Sequence, residues 1–321
     1  MKCLGNFTSD LRVPFFVEED EKEQWASEQT QTLKNLSSFL QSDAATSTRH
    51  LAFSLVVFAN VTGKLEDTLP HELDSTCTLL YKGLLGLVED ENAFKSKTSQ
   101  DIAHEVWQLA NLHVGEENKW NSEGHHDDEP RAAKQLASHV AAVLMCRHWA
   151  LEKQKLTLEF LSELHTVLLY GSNVDYAGQW RTTPVHVGWH MFPTVKHTGQ
   201  MEELVKEQII EPFEARMKGD SCDAVIAASH LLHDVCKVHP FKNGNGRAAR
   251  LLFAFALMRA GYPFPVIFTS GRSKARKHYG EALKRADNSN FHLLHATGLH
   301  SLTASWRNFE QNMQMEKSLE D

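Results

Sequence analysis

The feature that most constrains this chain is one run of residues, His239-Pro240-Phe241-Lys242-Asn243-Gly244-Asn245-Gly246-Arg247, followed by Ala248-Ala249-Arg250. Ahead of it, Val225, Ala228, Leu232 and Val235 recur at 3-4-3 spacing, which predicts one buried face of a helix. Pro240 cannot donate to a helical ladder and disfavours helical torsions in the residue before it, so that helix must end near His239. Residues Ala248 to Met258 are strong helix formers and nearly all apolar, with Gly261 and Pro263 as stop signals. The run is therefore expected as a tight loop between two largely buried helices.

Such a loop can hold an anion. Gly244 and Gly246 permit torsions that side chains forbid, so successive N–H groups can converge into a concave nest. The helix that follows adds its positive N-terminal end and unpaired amides. Arg247 and Arg250 lie on one face of its first turns, where the helix dipole disfavours cations. Two arginines there make sense if a polyphosphate completes the site. His239, at the loop entrance, is the group whose unperturbed pKa suits proton abstraction near neutral pH.

Rival readings fail on context. Gly244-x-Gly246-x-x-Ala249 satisfies the loose dinucleotide fingerprint, but a helix precedes it and Pro263 to Ile267 offers no acid where one is needed. No G-x-x-x-x-G-K-[S/T] string exists in the chain. An ordinary turn with solvated arginines remains the plain alternative.

The string resembles the signature of the Fic family, H-P-F-x-[Asp/Glu]-G-N-G-R-x-x-R, with Asn243 in place of the acidic residue. The similarity extends over roughly residues 130 to 310. It implies a Fic-type helical bundle and an enzyme that transfers AMP from ATP to a Ser, Thr or Tyr hydroxyl of a target protein. His239 would be the base; Asn243, Gly244, Asn245, Gly246, Arg247, Arg250 and Tyr279 would bind the nucleotide. Magnesium would accompany ATP, with Asn243 offering only a neutral, weak ligand. Gly178-Gln179-Trp180-Arg181-Thr182 is similar to the string that precedes the family's β-hairpin flap. Val185, His186, Val187 and Gly188 would then dock the target's main chain by strand addition.

Two departures bear on regulation and on the base. Ser54 to Asn60 has the spacing of the family's inhibitory helix, with Phe58 where its glutamate stands. Phe58 cannot accept a hydrogen bond from Arg250, so the resemblance implies transfer without a release step. A family Tyr-Tyr pair appears here as Tyr279-Gly280, and a following asparagine falls on Asp287 beside Asn288. A weakly active or non-catalytic nucleotide-binding module, or transfer of another nucleotide or of phosphocholine, stays open.

The rest of the chain reads as helices, and the expected class is all-α with one short hairpin, Trp180 to His190. Helical spacing is seen over Trp25 to Leu40, His50 to Asn60, 73–88, 100–113, Arg131 to Leu144 and 157–170. The polar, acidic stretch Gly115 to Pro130 is the best internal boundary. The expected division is an N-terminal helical region 1–130 holding the degenerate inhibitory-like helix at about 50–60, a Fic domain 131–310, and a polar tail 311–321.

A net charge of −8 argues against nucleic acid as a partner. Apolar runs are too short to span a bilayer, the start of the chain lacks a signal-peptide core, and five scattered cysteines carry no C-x-x-C pair. These features point to a cytoplasmic or nuclear protein with reduced thiols. His230-x-x-His233, His186-x-x-x-His190 and His125-His126-Asp127-Asp128 read as structural or solvent-facing rather than metal-binding.

Overall fold

A computed structural model describes residues 22–41, 48–65, 74–89, 97–110, 129–170, 175–188, 190–218, 223–269 and 275–320. The elements in order are α1 (Lys22–Gln41), α2 (Thr48–Leu65), α3 (Asp74–Glu89), α4 (Ser99–Leu109), α5 (Glu129–Leu151), α6 (Leu158–Leu168), β1 (His186–Val187), β2 (His190–Met191), α7 (Thr198–Val205), a π turn (Lys206–Ile210), α8 (Glu211–Lys218), α9 (Ala224–Val238), α10 (Asn245–Arg259), α11 (Ala275–Asp287) and α12 (His292–Glu320). The class is all-α, and the one sheet among the described residues is the antiparallel pair β1–β2.

The bundle is built around α10. From Ala248 to Met258 every one of its residues is buried, as expected of a helix that is apolar on all sides. It packs on α9 and α5, with α2 and α6 against its flanks. Helix α9 also meets α12, at a crossing so close that a Cβ on Gly298 would lie 2.7 Å from Ser229 Oγ. The N-terminal helices share this core: Leu55 and Phe58 of α2, Leu84 of α3 and Trp107 of α4 are buried with the rest.

Several expectations meet the structure differently. Helix α2 is longer than His50 to Asn60. Helix α12 runs on through residues 311–320, so the segment expected as a polar tail is the end of a helix. Helices α7, α8, α11 and α12 lie outside the expected helical stretches; α11 is largely polar, and a π turn separates α7 from α8. The proposed boundary at Gly115 to Pro130 falls mainly outside the described residues, as do residues 1–20, His125 to Asp128, Trp189, Cys3 and Cys222.

A charged clamp ties the segment before α6 to this core. Arg259, at the end of α10, donates two hydrogen bonds to Glu214 of α8, at 2.5 and 2.8 Å. Glu214 also accepts from the Leu156 N–H at 2.8 Å. Burial works to raise the Glu214 carboxyl, but the bonds from Arg259 and Leu156 outweigh it and hold it below its usual value. Removing one partner of a buried pair leaves the other charge uncompensated. Glu214→Ala is therefore expected to cost roughly 2–4 kcal/mol of stability. A denaturant titration in which that variant matches wild type within error would show the clamp to be idle.

Candidate active site

The loop between α9 and α10 starts with a residue in an uncommon backbone region. His239 closes α9 in the left-handed conformation, φ 53° and ψ 59°. Pro240 then turns the chain away. The loop is shut by Asn245, whose Oδ1 accepts from Phe241 N–H at 2.9 Å and whose Nδ2 donates to the Phe241 carbonyl at 2.8 Å. Phe241 is buried, its ring stacked 3.8 Å from His165 on one side and 5.1 Å from Trp180 on the other.

The His239 ring is oriented by its own helix. Nδ1–H donates to the Cys236 carbonyl at 3.2 Å, a pairing that leaves the lone pair on Nε2. Phe192, from the segment after β2, stacks flat on the imidazole at 3.7 Å. The residue is half-buried, and these two contacts hold its ring.

The glycines divide their work. Gly244 has φ 77°, and a Cβ there would come within 3.4 Å of His165 Nε2 and 3.7 Å of Arg247 Nη2. Gly246, expected to share this torsional freedom, is instead part of the first turn of α10, without a positive φ. No side chain caps the start of α10, which leaves its first amides as anion donors. The Gly244 amide is different: Asn243 Oδ1 accepts from it at 2.6 Å. Asn243 thus stabilises the turn, and its oxygen faces the loop's own backbone.

Both arginines are buried, at 4% and 2% exposure for Arg247 and Arg250, which sets aside the reading of solvated charges. The Arg250 guanidinium lies 5.6 Å from the centre of the Tyr279 ring. Tyr279 is itself held, with its hydroxyl 3.1 Å from Cys236 Sγ and its ring edge-on to Phe268. Asp287 accepts from His233 at 3.0 Å and so fastens α11 to α9.

The hairpin lies beside this loop because of Arg181, at 3% exposure. Its Nε donates to the His239 carbonyl at 2.6 Å; Nη2 donates to Pro193 at 2.8 Å and Val238 at 3.2 Å, and Nη1 to Thr183 at 3.2 Å. Its own N–H donates to the Pro240 carbonyl at 3.0 Å. In the hairpin, His186 pairs with Met191 and Val187 with His190. Val185 is half-buried, whereas His186, Val187 and Gly188 are exposed.

On the other side, α2 brings Phe58 edge-on to His139 of α5, ring centres 5.9 Å apart. The ring that Phe58 meets there is this histidine, which lies within electrostatic reach of Arg247 and Arg250. Ser54 is half-buried, and the Asn60 side chain lies outside the described residues.

Arg181, His165, Phe192 and His139 had been assigned no role in the site. The signal for His165 was a histidine on the apolar face of α6, among Leu161, Leu164 and Leu168. His165 Nδ1 accepts from Gly178 N–H at 2.9 Å, and Nε2–H donates to the Asn243 carbonyl at 3.0 Å. One neutral ring therefore joins the flap's approach to the motif loop. Among the described residues no cluster of three His, Cys, Asp or Glu is gathered that could hold a metal ion.

Burial, with help from the charge of Arg247, pulls His165 down to about 4 even though its bond to Asn243 opposes this. Its folded pKa lies below the unfolded value of about 6.5, so its contribution is complete above that pH and is lost as pH falls toward 4. His165→Gln is expected to flatten the fall of unfolding free energy across this window by up to about 3 kcal/mol. His230 and His295, also pulled down to about 4 by burial, add to the wild-type slope, so the difference between the two proteins isolates His165. Parallel profiles for the two proteins would mean that the ring does not couple protonation to folding.

Residues 155–257 match the Fic/DOC family. Over 136 residues the chain is 34% identical to "Protein adenylyltransferase Fic" of Drosophila grimshawi, covering 42% of this chain and 26% of that protein. Over 129 residues it is 34% identical to "Protein adenylyltransferase fic-1" of Caenorhabditis briggsae, covering 39% and 23%. The chain thus spans about a quarter of the length of the curated relatives it matches. A Fic domain containing signaling protein from Bacteroides thetaiotaomicron superposes with a TM-score of 0.59 at 17% identity, over 88% of this chain and 98% of that one. Fic-1 from C. elegans gives 0.55 at 20% identity, over 91% and 75%. At these identities the likeness to solved structures is one of fold.

Proposed function

We propose that this chain, whose residues 155–257 form a Fic domain, transfers AMP from ATP to a Ser, Thr or Tyr hydroxyl of a target protein. The observation that carries this reading is the His239 ring, oriented through Nδ1 by Cys236 at the start of a loop that ends in an uncapped helix N-terminus with two buried arginines. In this reading Nε2 takes the proton of the target hydroxyl. The freed oxygen attacks the α-phosphorus of ATP, the bond to the bridging oxygen breaks, and pyrophosphate leaves with that electron pair. The amides of Gly246 and Arg247 and the Arg247 guanidinium stabilise charge on the phosphates, while Arg250 holds the distal end. Tyr279, beside Arg250, borders the base.

The residues present do not fit a magnesium site of the protein's own. Asn243 offers one neutral oxygen, already accepting from Gly244, where a hard cation prefers anionic oxygen. The target's main chain would pair along Val185 to Gly188, where the exposed edge lies next to the base that its hydroxyl must reach. Residues 131–310 would form the transferase unit, with 1–130 the N-terminal helical region.

Incubation with α-labelled ATP and candidate target proteins tests this reading. His239→Ala is expected to lose ~10²–10⁴-fold in transfer while nucleotide affinity is kept, because the phosphate ligands lie elsewhere. Wild-type transfer by that variant would sink the mechanism. The turned-in Asn243 favours a second reading, a nucleotide-binding module without transfer, and ATP that binds but never labels a protein would support it.

Phe58 bears on restraint. With no carboxylate on α2, nothing from that helix competes with phosphate for the arginines, so transfer should need no release step. Phe58→Glu would place a negative charge beside His139 and the arginine pair, with an interaction on the order of 1.5–3 kcal/mol. Weaker ATP binding by calorimetry and slower transfer are expected, with Phe58→Leu as the size control. Equal loss in both variants would trace the effect to packing.

A further inference from the structure

His139 is the side chain in this region that the proposed chemistry leaves without a task. It sits at 1% exposure on α5, beneath Phe58 of α2, and its Nε2 is buried without a hydrogen-bond partner among the described residues. One turn earlier on the same helix, Gln135 Oε1 is also buried and unmatched. A buried polar atom without a partner carries most of its desolvation cost, and so asks for an explanation. An apolar side chain would fill such a place at less cost.

The surroundings supply the explanation. Among the described residues the charges that act on His139 are those of Arg247 and Arg250 of α10, and from α2 Phe58 packs edge-on to it. Burial first, and then those two guanidinium groups, hold its imidazole well below the ordinary histidine range. A neutral ring beside two buried cations is matched poorly by its neighbours but well by an anion. A phosphate oxygen between the arginines would reverse the local field and give Nε2–H an acceptor.

We propose that His139 is a further ligand of the phosphate chain, donating Nε2–H to an oxygen that Arg247 and Arg250 also hold. The proposal rests on the nucleotide reading of the loop, and deepens it: the site contains an imidazole whose proton affinity rises when nucleotide enters. Nucleotide binding and proton uptake are then linked.

The test is calorimetry of ATP binding in two buffers of different ionisation enthalpy at about pH 6.5, near the free histidine pKa. A His239→Ala parent is used, so that neither turnover nor the His239 ring contributes. The nucleotide's own ionisation is common to all proteins and cancels in the difference. His139→Phe in that parent is expected to bind ATP about tenfold more weakly or worse and to take up less proton per ATP bound. His139→Gln keeps an N–H donor that cannot titrate, so it should retain part of the affinity and none of the extra proton uptake. Should the phenylalanine variant not fold, the glutamine variant decides. Parental affinity and parental proton count in a folded variant would overturn the assignment while the nucleotide reading stands. A parent protein that binds no ATP would overturn both.

Discussion

The guanidinium of Arg181 is the interaction on which the site depends. Burial makes its charge costly and pulls its pKa down from the usual arginine range. Four carbonyls offset that cost, and they come from separate parts of the chain. Two belong to Val238 and His239, where α9 ends; Thr183 and Pro193 flank the hairpin. A planar fork with donors in fixed directions can satisfy such scattered acceptors at once, which an ammonium cannot. His239 is thereby held in a left-handed conformation that a non-glycine residue seldom adopts.

A second set of constraints works on the opposite side of the same loop. Phe241 is stacked between His165 and Trp180, and His165 spans from Gly178 to Asn243 through both ring nitrogens. That span needs the neutral ring, with one nitrogen accepting and the other donating. Gly178 has no room for a side chain, since a Cβ there would meet Thr166 Oγ1 at 2.2 Å. Gly178 is therefore fixed against α6, while Trp180 and Arg181 touch the motif loop directly. The loop and the approach to the flap form one mechanical unit.

Behind the loop, α10 buries two arginines within an otherwise apolar helix. A helix so fully enclosed has little freedom to move those charges. This rigidity gives the site its chemical character: positive charge, open helix amides and an oriented imidazole, with the side-chain oxygen of Asn243 committed to the turn. The N-terminal helices reach this region through α2, which meets it at Phe58 and His139.

The sequence by itself determined the two helices around His239 to Arg247, the need for glycine at 244, and the all-helical class broken by one hairpin. Those features rest on local rules: apolar periodicity, the missing N–H of proline and the torsions only glycine tolerates. It was silent on α11, a largely polar helix, and on α7–α8, where a π turn shifts the helical repeat. The tertiary structure decided that Gly246 is helical, that Asn243 turns inward, and that Phe58 packs on His139. It also gave Arg181 and His165 their work. The contacts of Arg181, His165 and Phe58 join groups far apart in the chain, and periodicity cannot report which distant carbonyl a guanidinium or an imidazole will find.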